Sequence, residues 1–334
     1  MSQKIVFMGT PEFSVPTLES LVNSNNQILA VYSQPPSKAN RGQKITPSSV
    51  EAFAKEHSLN LRTPDNLNND KEYNYLKKLN PDIVVVVAYG KIIPKKFLDL
   101  SKHGFINVHA SLLPKWRGAA PIQRAIMNLD NQTGISIMKI VEELDAGPVM
   151  QQDKIQINEN IDTLTLSKVL SKLGANSILN AIIKIEKGEA RFQEQNHSEA
   201  TYAKKISKME GQINWKESAK KVLAKINGLN PNPGAWFEYA NEIEFEIPYR
   251  KKGQWQRDDY ANGNTDAQSW VIQNWLVCTS NPEKFNEWCG TFEILNPIDG
   301  KISGKVGKLA LQESGLGNST LKKIWNLADV NKDG

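Results

Sequence analysis

The sequence predicts an α/β fold with a mostly parallel, Rossmann-like sheet over residues 1–188. Two observations predict it. Apolar strand-like runs alternate with helix-like segments, which is typical of βαβ units. The run DIVVVV at residues 82–87 is almost continuously β-branched, as in a strand covered on both faces. In such sheets the functional loops follow the carboxyl ends of the strands.

The elements follow from local pattern in chain order. Strands are predicted at residues 4–8, 28–32, 82–87, 105–108, 134–141 and 148–157. Helices are predicted from the turn at residues 9–11 to about residue 21, and at residues 46–56, 71–79, 119–127, 163–186 and 213–227. Gly188 ends the last helix. The turn at residues 9–11 lacks the GxGxxG spacing, so dinucleotide binding is not predicted.

Composition narrows the class of protein. A chain of 334 residues is long for one core and favours two or more domains. The longest apolar run, residues 83–88, is far below a membrane span, so we expect a cytoplasmic protein without a membrane partner. Two cysteines, Cys278 and Cys289, suit a reducing compartment, and a disulfide between them stays open. The net charge of +5 is compatible with RNA binding, although such a surface is more often simply solvated.

Asn107 and His109 are the first candidate site residues. They are two residues apart at the end of a predicted strand, and that spacing points both side chains to one face. Together a carboxamide and an imidazole can donate a hydrogen bond and move a proton at one point. Taken singly, Asn107 reads as a turn residue and His109 as a structural histidine.

Asp145 is the third candidate. In the segment EELDAGP it reads by itself as a turn residue before glycine. It gains interest because an imidazole needs a carboxylate to fix its tautomer and to stabilise its cation. The four histidines show no metal-ligand spacing, so no metal site is predicted.

Six segments, in order, resemble the 10-formyltetrahydrofolate-dependent formyltransferases, in the form of the methionyl-tRNA formyltransferase family. They are residues 8–13 (MGTPEF), 86–94 (VVAYGKIIP), 107–126 (NVHASLLPKWRGAAPIQRAI), 133–149 (ending LDAGPV), 201–215 and 228–237. The resemblance covers about residues 3–239. The Asn-x-His, SLLP and LDAG elements belong to the wider folate-dependent group, and WRGAAPIQRAI and NPNPGAWF favour the tRNA enzymes.

The resemblance implies transfer of a formyl group from the co-substrate 10-formyltetrahydrofolate to the amino group of initiator methionyl-tRNA. It implies that Asn107 orients and stabilises the formyl oxygen, that His109 shuttles protons, and that Asp145 supports His109. Such a transfer needs a base for the amine, a donor for the oxyanion and an acid for the folate nitrogen. It needs no covalent enzyme intermediate and no metal.

The resemblance also assigns binding residues. The folate side is assigned to Ser111, Leu112, Leu113 and Pro114 and to Tyr89, Gly90 and Ile92. The simpler readings are a rigid connector for the first group and plain core for the second. Basic residues of the loop at 34–44 would contact tRNA phosphates, namely Lys38, Arg41 and Lys44. A mobile charged loop is the alternative, and we expect a monomer.

The chain changes character after about residue 239. Residues 189–207 are predicted as a linker, and residues 208–282 as a disrupted tRNA-side domain that begins the family's β-barrel without completing it. Residues 283–334 resemble a truncated EH domain, an EF-hand-like helical tail, on NPIDGKISG, SGLGNSTLKKIW and LADVNKDG.

The EH-like tail sets the alternatives. Asp329, Asn331, Asp333 and Gly334 match positions 1, 3, 5 and 6 of a calcium loop, and position 12 is not in the sequence, so we expect no specific calcium site. The alternatives to formyl transfer are a peptide- or calcium-binding adaptor and an inactive chimera of the two parts.

Overall fold

A computed structural model describes residues 2–39, 44–239 and 243–246. The chain divides into two compact units, residues 1–212 with 224–244, and residues 213–223 with 245–334. All candidate site residues belong to the first unit. Within the described residues, no helix is both long enough and apolar enough to span a membrane.

The strands are β1 Lys4–Gly9, β2 Gln27–Tyr32, β3 Ser37–Ala39, β4 Lys44–Thr46, β5 Leu61–Arg62, β6 Ile83–Val87, β7 Phe105–His109, β8 Arg117–Gly118, β9 Gln132–Lys139, β10 Val149–Gln156, β11 Tyr202–Ala203, β12 Trp236–Tyr239 and β13 Ile243–Glu246. The α-helices are α1 Val15–Val22, α2 Ser49–Glu56, α3 Asp70–Leu79, α4 Lys95–Leu98, α5 Pro121–Met127, α6 Thr163–Glu186 and α7 Ala219–Leu229. Short 3-10 helices lie at Glu12–Ser14, His197–Glu199 and Lys208–Gly211.

Seven strands form the main sheet in the order β10-β9-β7-β6-β1-β2-β5. The five strands from β7 to β5 are parallel, and β9 is antiparallel to both of its neighbours. The predicted α/β class with a mostly parallel, Rossmann-like sheet is confirmed. The barrel and the EF-hand-like tail beyond residue 246 lie outside the described residues.

Apolar clusters cover both faces of the sheet. Ile5 and Phe7 of β1 belong to one cluster with residues of α1, α2, α5 and α6, whereas Val6 and Met8 belong to the other with residues of α3 and α4. Every residue of β6 is buried. The DIVVVV run is therefore explained, because alternate side chains of β6 pack into different clusters and both must be apolar.

Helix caps decide where several helices begin. The helix predicted from residue 46 starts at Ser49, because the Ser48 side chain accepts a hydrogen bond from the Glu51 amide at 3.0 Å. The helix predicted at 163–186 has those bounds, and Asp162 caps it by accepting from the Thr165 amide at 2.7 Å. Asn80 ends α3 in the left-handed conformation, with φ 46°.

The segment predicted as a linker, residues 189–207, lies inside the first unit, and its strand β11 pairs in parallel with β8. The helix predicted at 213–227 starts later, at Ala219, because turn hydrogen bonds such as Lys216 N to Asn214 Oδ1 at 3.1 Å occupy the preceding residues. After the Pro/Gly turn at residues 230–234, β12 pairs with β13.

Candidate active site

Asn107 and His109 lie on β7 at the carboxyl side of the sheet. Asn107 is level with Val86 of β6 and Met138 of β9, and His109 is level with Ser136 of β9. His109 is only 6% exposed. The strand geometry therefore puts both side chains on one face of the sheet, with the imidazole shielded from water.

A backbone carbonyl fixes the tautomer of His109. The ring Nε2 lies 2.9 Å from the Trp116 carbonyl oxygen. A carbonyl only accepts, so Nε2 must carry the hydrogen, and the neutral ring has its lone pair at Nδ1. The sequence suggested that Asp145 would fix the tautomer; the structure gives this task to Trp116.

Asp145 faces the other nitrogen of the ring. His109 Nδ1 and Asp145 Oδ2 are 3.7 Å apart, which is within ion-pair range but longer than a good hydrogen bond. A proton taken at Nδ1 therefore produces a cation beside a carboxylate. Opposite charges at this distance attract each other, so the carboxylate would stabilise that cation.

The loop that carries Asp145 has an unusual backbone. Asp145 holds φ 46°, and its Oδ2 accepts a hydrogen bond from the Gly118 amide at 2.8 Å. A Cβ added at Gly147 would clash with the carbonyl oxygen of Lys139. The glycine of the LDAG segment therefore lets the loop return against the end of β9.

The Trp116–Gly118 turn is held by the segment after α6. Trp116 has φ 60°, its amide donates to Thr201 Oγ1 at 2.9 Å, and its indole Nε1 donates to Asp130 Oδ2 at 2.7 Å. Gly118 has φ 120°, and a Cβ there would lie 2.8 Å from the carbonyl oxygen of Ala203. The segment expected to be a linker thus shapes the site.

The Asn107 side chain is free to meet a ligand. It is half-buried, and no hydrogen-bond partner for its carboxamide is found within residues 2–39, 44–239 and 243–246. A carboxamide nitrogen carries two donors. At the carboxyl edge of the sheet it can therefore donate to a substrate oxygen.

Residues 111–114 form a rigid connector against β9 and β10. Ser111 is fully buried and its hydroxyl donates to the Lys115 carbonyl at 2.6 Å. Leu113 donates its amide to Ser136 Oγ at 3.1 Å, and its carbonyl accepts from Gln152 Nε2 at 2.7 Å. Leu112 and Pro114 are half-buried. Because these polar groups bind protein atoms, the segment would offer a ligand its shape rather than the Ser111 hydroxyl.

The second group assigned to the folate side, Tyr89, Gly90 and Ile92, includes both core and loop residues. Tyr89 is 2% exposed, packs in the cluster of α3 and α4, and burial raises the pKa of its hydroxyl. Gly90 holds φ 77°, and a Cβ there would clash with the Gln34 side chain. Ile92 is 90% exposed. The Tyr89 ring thus belongs to the core, whereas Gly90 and Ile92 lie in the loop that follows β6.

Lys38 and Lys44 belong to one small hairpin. β3 pairs with β4 in antiparallel register, with Lys38 opposite Ile45 and Ala39 opposite Lys44. Arg41 lies in the connection, outside the described residues. The part of the chain that the structure describes contains no group of three His, Cys, Asp or Glu side chains able to hold a metal ion.

Three family patterns match the chain. The family described as formyl transferase matches residues 3–182, and the formyl transferase C-terminal domain matches residues 205–248. The EH domain matches residues 280–334.

Curated relatives match over most of their length. A methionyl-tRNA formyltransferase of Pelagibacter ubique (strain HTCC1062) is 54% identical over 243 residues, which are 72% of this chain and 78% of the relative. One from Coxiella burnetii (strain CbuK_Q154) is 45% identical over 242 residues, 72% of this chain and 77% of the relative.

Solved structures share the fold. A 4-N formyltransferase from Francisella tularensis superposes with a TM-score of 0.60 at 17% identity and covers 75% of this chain and 98% of its own. An N-formyltransferase from Helicobacter canadensis, in complex with folinic acid and dTDP-3-aminofucose, gives a TM-score of 0.56 at 18% identity over 72% of this chain and 85% of its own.

Proposed function

The chain belongs to the formyl transferase family, and we propose that it transfers the formyl group of 10-formyltetrahydrofolate to the amino group of initiator methionyl-tRNA. The family pattern matches residues 3–182, and relatives named methionyl-tRNA formyltransferase are 45% to 54% identical to the chain. The enzyme is a folate-dependent formyltransferase, and its substrates are the charged tRNA and the folate.

One observation carries the proposed chemistry. The buried His109 ring has its Nε2 hydrogen committed to the Trp116 carbonyl and its Nδ1 aimed at the Asp145 carboxylate. An attacking amine must lose a proton, and Nδ1 is the ring atom able to take it. The Asp145 carboxylate stabilises the imidazolium that results.

Asn107 supplies the donor that acyl transfer needs. Negative charge develops on the formyl oxygen as the amine attacks, and a fixed hydrogen-bond donor lowers that barrier by about 3 kcal/mol. The Asn107 carboxamide is on the same strand as His109 and has no partner among the described residues. The acid that protonates the leaving folate nitrogen is then the protonated His109.

The folate would supply the activated formyl group. Residues 111–114 follow β7, the loop with Gly90 and the exposed Ile92 follows β6, and these two strands are neighbours in the sheet. We propose that Ser111, Leu112, Leu113 and Pro114 shape this side of the pocket together with Gly90 and Ile92. Tyr89 then acts from the core by supporting the Gly90 turn.

The β3–β4 hairpin and the residues between its strands are the proposed tRNA contact. Lys38 belongs to β3, Lys44 belongs to β4, and Arg41 stands between them in the sequence, so this segment carries all three positive charges. Lysine and arginine contacts to phosphate position a nucleic acid without reading its sequence. We also propose that the chain works as a monomer in the cytoplasm, where charged tRNA is found, with no membrane partner.

The domain division is likewise a proposal. Residues 1–188 would be the catalytic domain, and residues 208–282 the disrupted tRNA-side domain. Residues 189–207 would pack on the catalytic domain, since β11 and β8 pair. Residues 283–334 would be the EH-like segment.

Formyl transfer to charged initiator tRNA, compared with transfer to a free amine, tests the function. Asn107→Ala, His109→Ala and Asp145→Ala should each lower the rate by roughly 100-fold or more with folate binding kept. His197→Ala, an exposed histidine of the same unit, is the matched control and should leave the rate unchanged. Full turnover in any of the three variants removes that residue from the catalytic set.

A second capacity is favoured by the EH match at residues 280–334. EH domains resemble paired EF-hands that bind Asn-Pro-Phe peptides, so we propose peptide binding by this segment as the rival function. Titration with an Asn-Pro-Phe peptide distinguishes the two. Saturable binding without formyl transfer would favour the adaptor, and neither property would favour the inactive chimera.

A further inference from the structure

Arg117 and Gln195 form a buried polar pair beside the active site that the proposed chemistry does not use. Arg117 is 3% exposed and Gln195 is 8% exposed. The Gln195 Oε1 atom accepts from Arg117 Nη2 at 2.7 Å and from Nε at 3.1 Å. No ion pair is found for this guanidinium among the residues that the structure describes, so a buried cation has a neutral amide as its partner.

The other end of Gln195 holds the loop of Asp145. Its Nε2 donates to the Asp145 carbonyl at 2.8 Å and to the Gly147 carbonyl at 2.7 Å. The side-chain amide of one residue thus makes hydrogen bonds to two segments of the chain at once. Asp145 has φ 46°, a conformation that persists only where surrounding contacts hold it.

Arg117 lies between the two backbone groups that define the site. Its neighbour Trp116 supplies the carbonyl that binds His109 Nε2, and its neighbour Gly118 supplies the amide that binds Asp145 Oδ2. Moving Arg117 would move both contacts. The bridge between Gln193 and Val149 anchors the segment that carries Gln195, with backbone hydrogen bonds of 2.8 and 2.9 Å.

We propose that Arg117 and Gln195 are a positioning clamp, which sets the separation and direction of the Asp145 carboxylate relative to the His109 ring by joining the Trp116–Gly118 turn to the Asp145–Gly147 loop. This inference rests on the proposed function for its catalytic consequence. A buried guanidinium costs desolvation energy that an apolar side chain would avoid. The clamp explains why this position is nevertheless an arginine: its fork reaches one amide oxygen with two donors and polarises that amide.

Two substitutions separate the clamp's arms. Gln195→Met keeps the length of the side chain and removes the hydrogen bonds of both arms. Gln195→Glu keeps the acceptor for Arg117 and adds charge pairing, but a carboxylate cannot donate to the two loop carbonyls. Gln156→Met, at an exposed glutamine at the end of β10, is the matched control. Thermal unfolding shows which variants remain folded. If Gln195→Met does not fold, Gln195→Glu still tests the proposal.

The expected result is a split between kcat and KM. Both Gln195 variants should lose about 10- to 100-fold in kcat, because a misplacement of about 1 Å has that effect, while KM for folate and for tRNA changes little. Gln156→Met should match the wild type. Wild-type kcat in the folded Gln195→Glu variant would overturn the proposal.

A double-mutant cycle separates positioning from general weakening of the fold. If Gln195 acts through Asp145, then Gln195→Glu should cost nothing further in an Asp145→Ala background. A merely structural role predicts additive losses, and additive losses would overturn the clamp.

Hydrogen exchange makes the outcome independent of the proposed function. In Gln195→Glu, amide exchange should rise in residues 116–120 and 143–147 and nowhere else. If the wild type transfers no formyl group, the proposed function fails, and this measurement still decides the clamp. Unchanged exchange in those two segments would overturn it.

Discussion

Trp116 and Asp145 both hold the left-handed backbone conformation, with φ 60° and 46°. Side chains usually avoid this region, and a bulky residue such as tryptophan is a clear exception. Each of the two residues presents a group to His109, one a carbonyl and the other a carboxylate. These two strained residues lie where two loops must turn sharply to reach one imidazole.

This arrangement should be sensitive to substitution of Gly118. Gly118→Ala should lower the free energy of unfolding by about 1–3 kcal/mol, from φ strain and a clash with the Ala203 backbone. It should also lower kcat, since the Gly118 amide binds Asp145. Gly104→Ala is the control, because Gly104 has φ 85° and no atom within 4 Å of the added Cβ. Denaturant unfolding measures the free energy of unfolding of both variants. Equal losses of stability would mean that the close contact of residue 118 with the Ala203 backbone has no role.

At the scale of elements, an ion pair connects β5 to α3. Arg62 Nε donates to Glu72 Oε2 at 2.8 Å, and the guanidinium lies 3.9 Å from the centre of the Tyr75 ring. Glu72 is 5% exposed. The hydrogen bonds from Arg62 lower the pKa of Glu72 below its ordinary value of 4.5.

This pair should make stability acid-sensitive. Because the folded-state pKa of Glu72 is lowered, its contribution is fully present above about pH 4.5 and is lost as the pH falls through the folded pKa. Glu72→Gln should therefore be less stable than the wild type near neutral pH and should lose less stability between about pH 5 and pH 3. Urea unfolding at several pH values measures this. The exposed Glu56→Gln is the control, and parallel pH curves for Glu72→Gln and the wild type would contradict the assignment.

The contact between α6 and β7 supports the strand that carries Asn107 and His109. A Cβ at Gly174 of α6 would lie 2.8 Å from Val108 Cγ1, and Val108 stands between Asn107 and His109. Glycine thus lets the long helix approach the strand that carries both side chains. Its cost in helix propensity, about 1 kcal/mol relative to alanine, is offset by this packing.

Gly174→Ala should therefore destabilise the protein, by about 1–3 kcal/mol, instead of giving the gain that helix propensity predicts. The stiff valine side chain cannot rotate away, so β7 must shift and kcat should fall as well. Asn176→Ala, an exposed position on the same helix, should be neutral or slightly stabilising. A more stable Gly174→Ala protein with full activity would show that the helix can move without disturbing β7.

At the scale of the whole molecule, we expect positively charged side chains to bind the phosphates of the tRNA. The net charge is only +5, so local clusters matter more than the total. Replacing Lys38, Arg41 and Lys44 together by alanine should weaken tRNA binding and make its salt dependence shallower. The slope of log K against log salt should fall by roughly one unit for each phosphate that the hairpin no longer binds. Titrations at several salt concentrations measure the slope.

The control for that measurement removes three charges elsewhere. Lys77, Lys78 and Lys102 are exposed at the end of α3 and in the loop before β7, at the amino edge of the sheet. Their triple alanine variant changes net charge equally but should keep the wild-type slope. Equal slopes for both triple variants would mean that the hairpin does not meet phosphate.

Local pattern was enough to predict the α/β class, most elements and the pairing of Asn107 with His109. Hydrophobic periodicity reports which faces are buried, and an i, i+2 relation on a strand is a local property of the chain. The bounds of α6 were predicted without error, because its apolar period and its Gly188 stop both lie in or next to the helix segment. Helix starts such as Ser49 were less exact, because a single capping side chain decides them.

Tertiary structure alone decided how the site is held. The Trp116 carbonyl fixes the His109 tautomer, and Gln195 joins Arg117 to the Asp145 loop across 78 and 50 positions of the chain. Gln195 lies in a polar segment that the sequence predicts to be a linker, and no neighbouring residue indicates that it makes long-range hydrogen bonds. The physical reason is that hydrogen-bond partners so far apart are chosen by the packing of β8 against β11, whereas sequence patterns report only the contacts that a residue makes near itself.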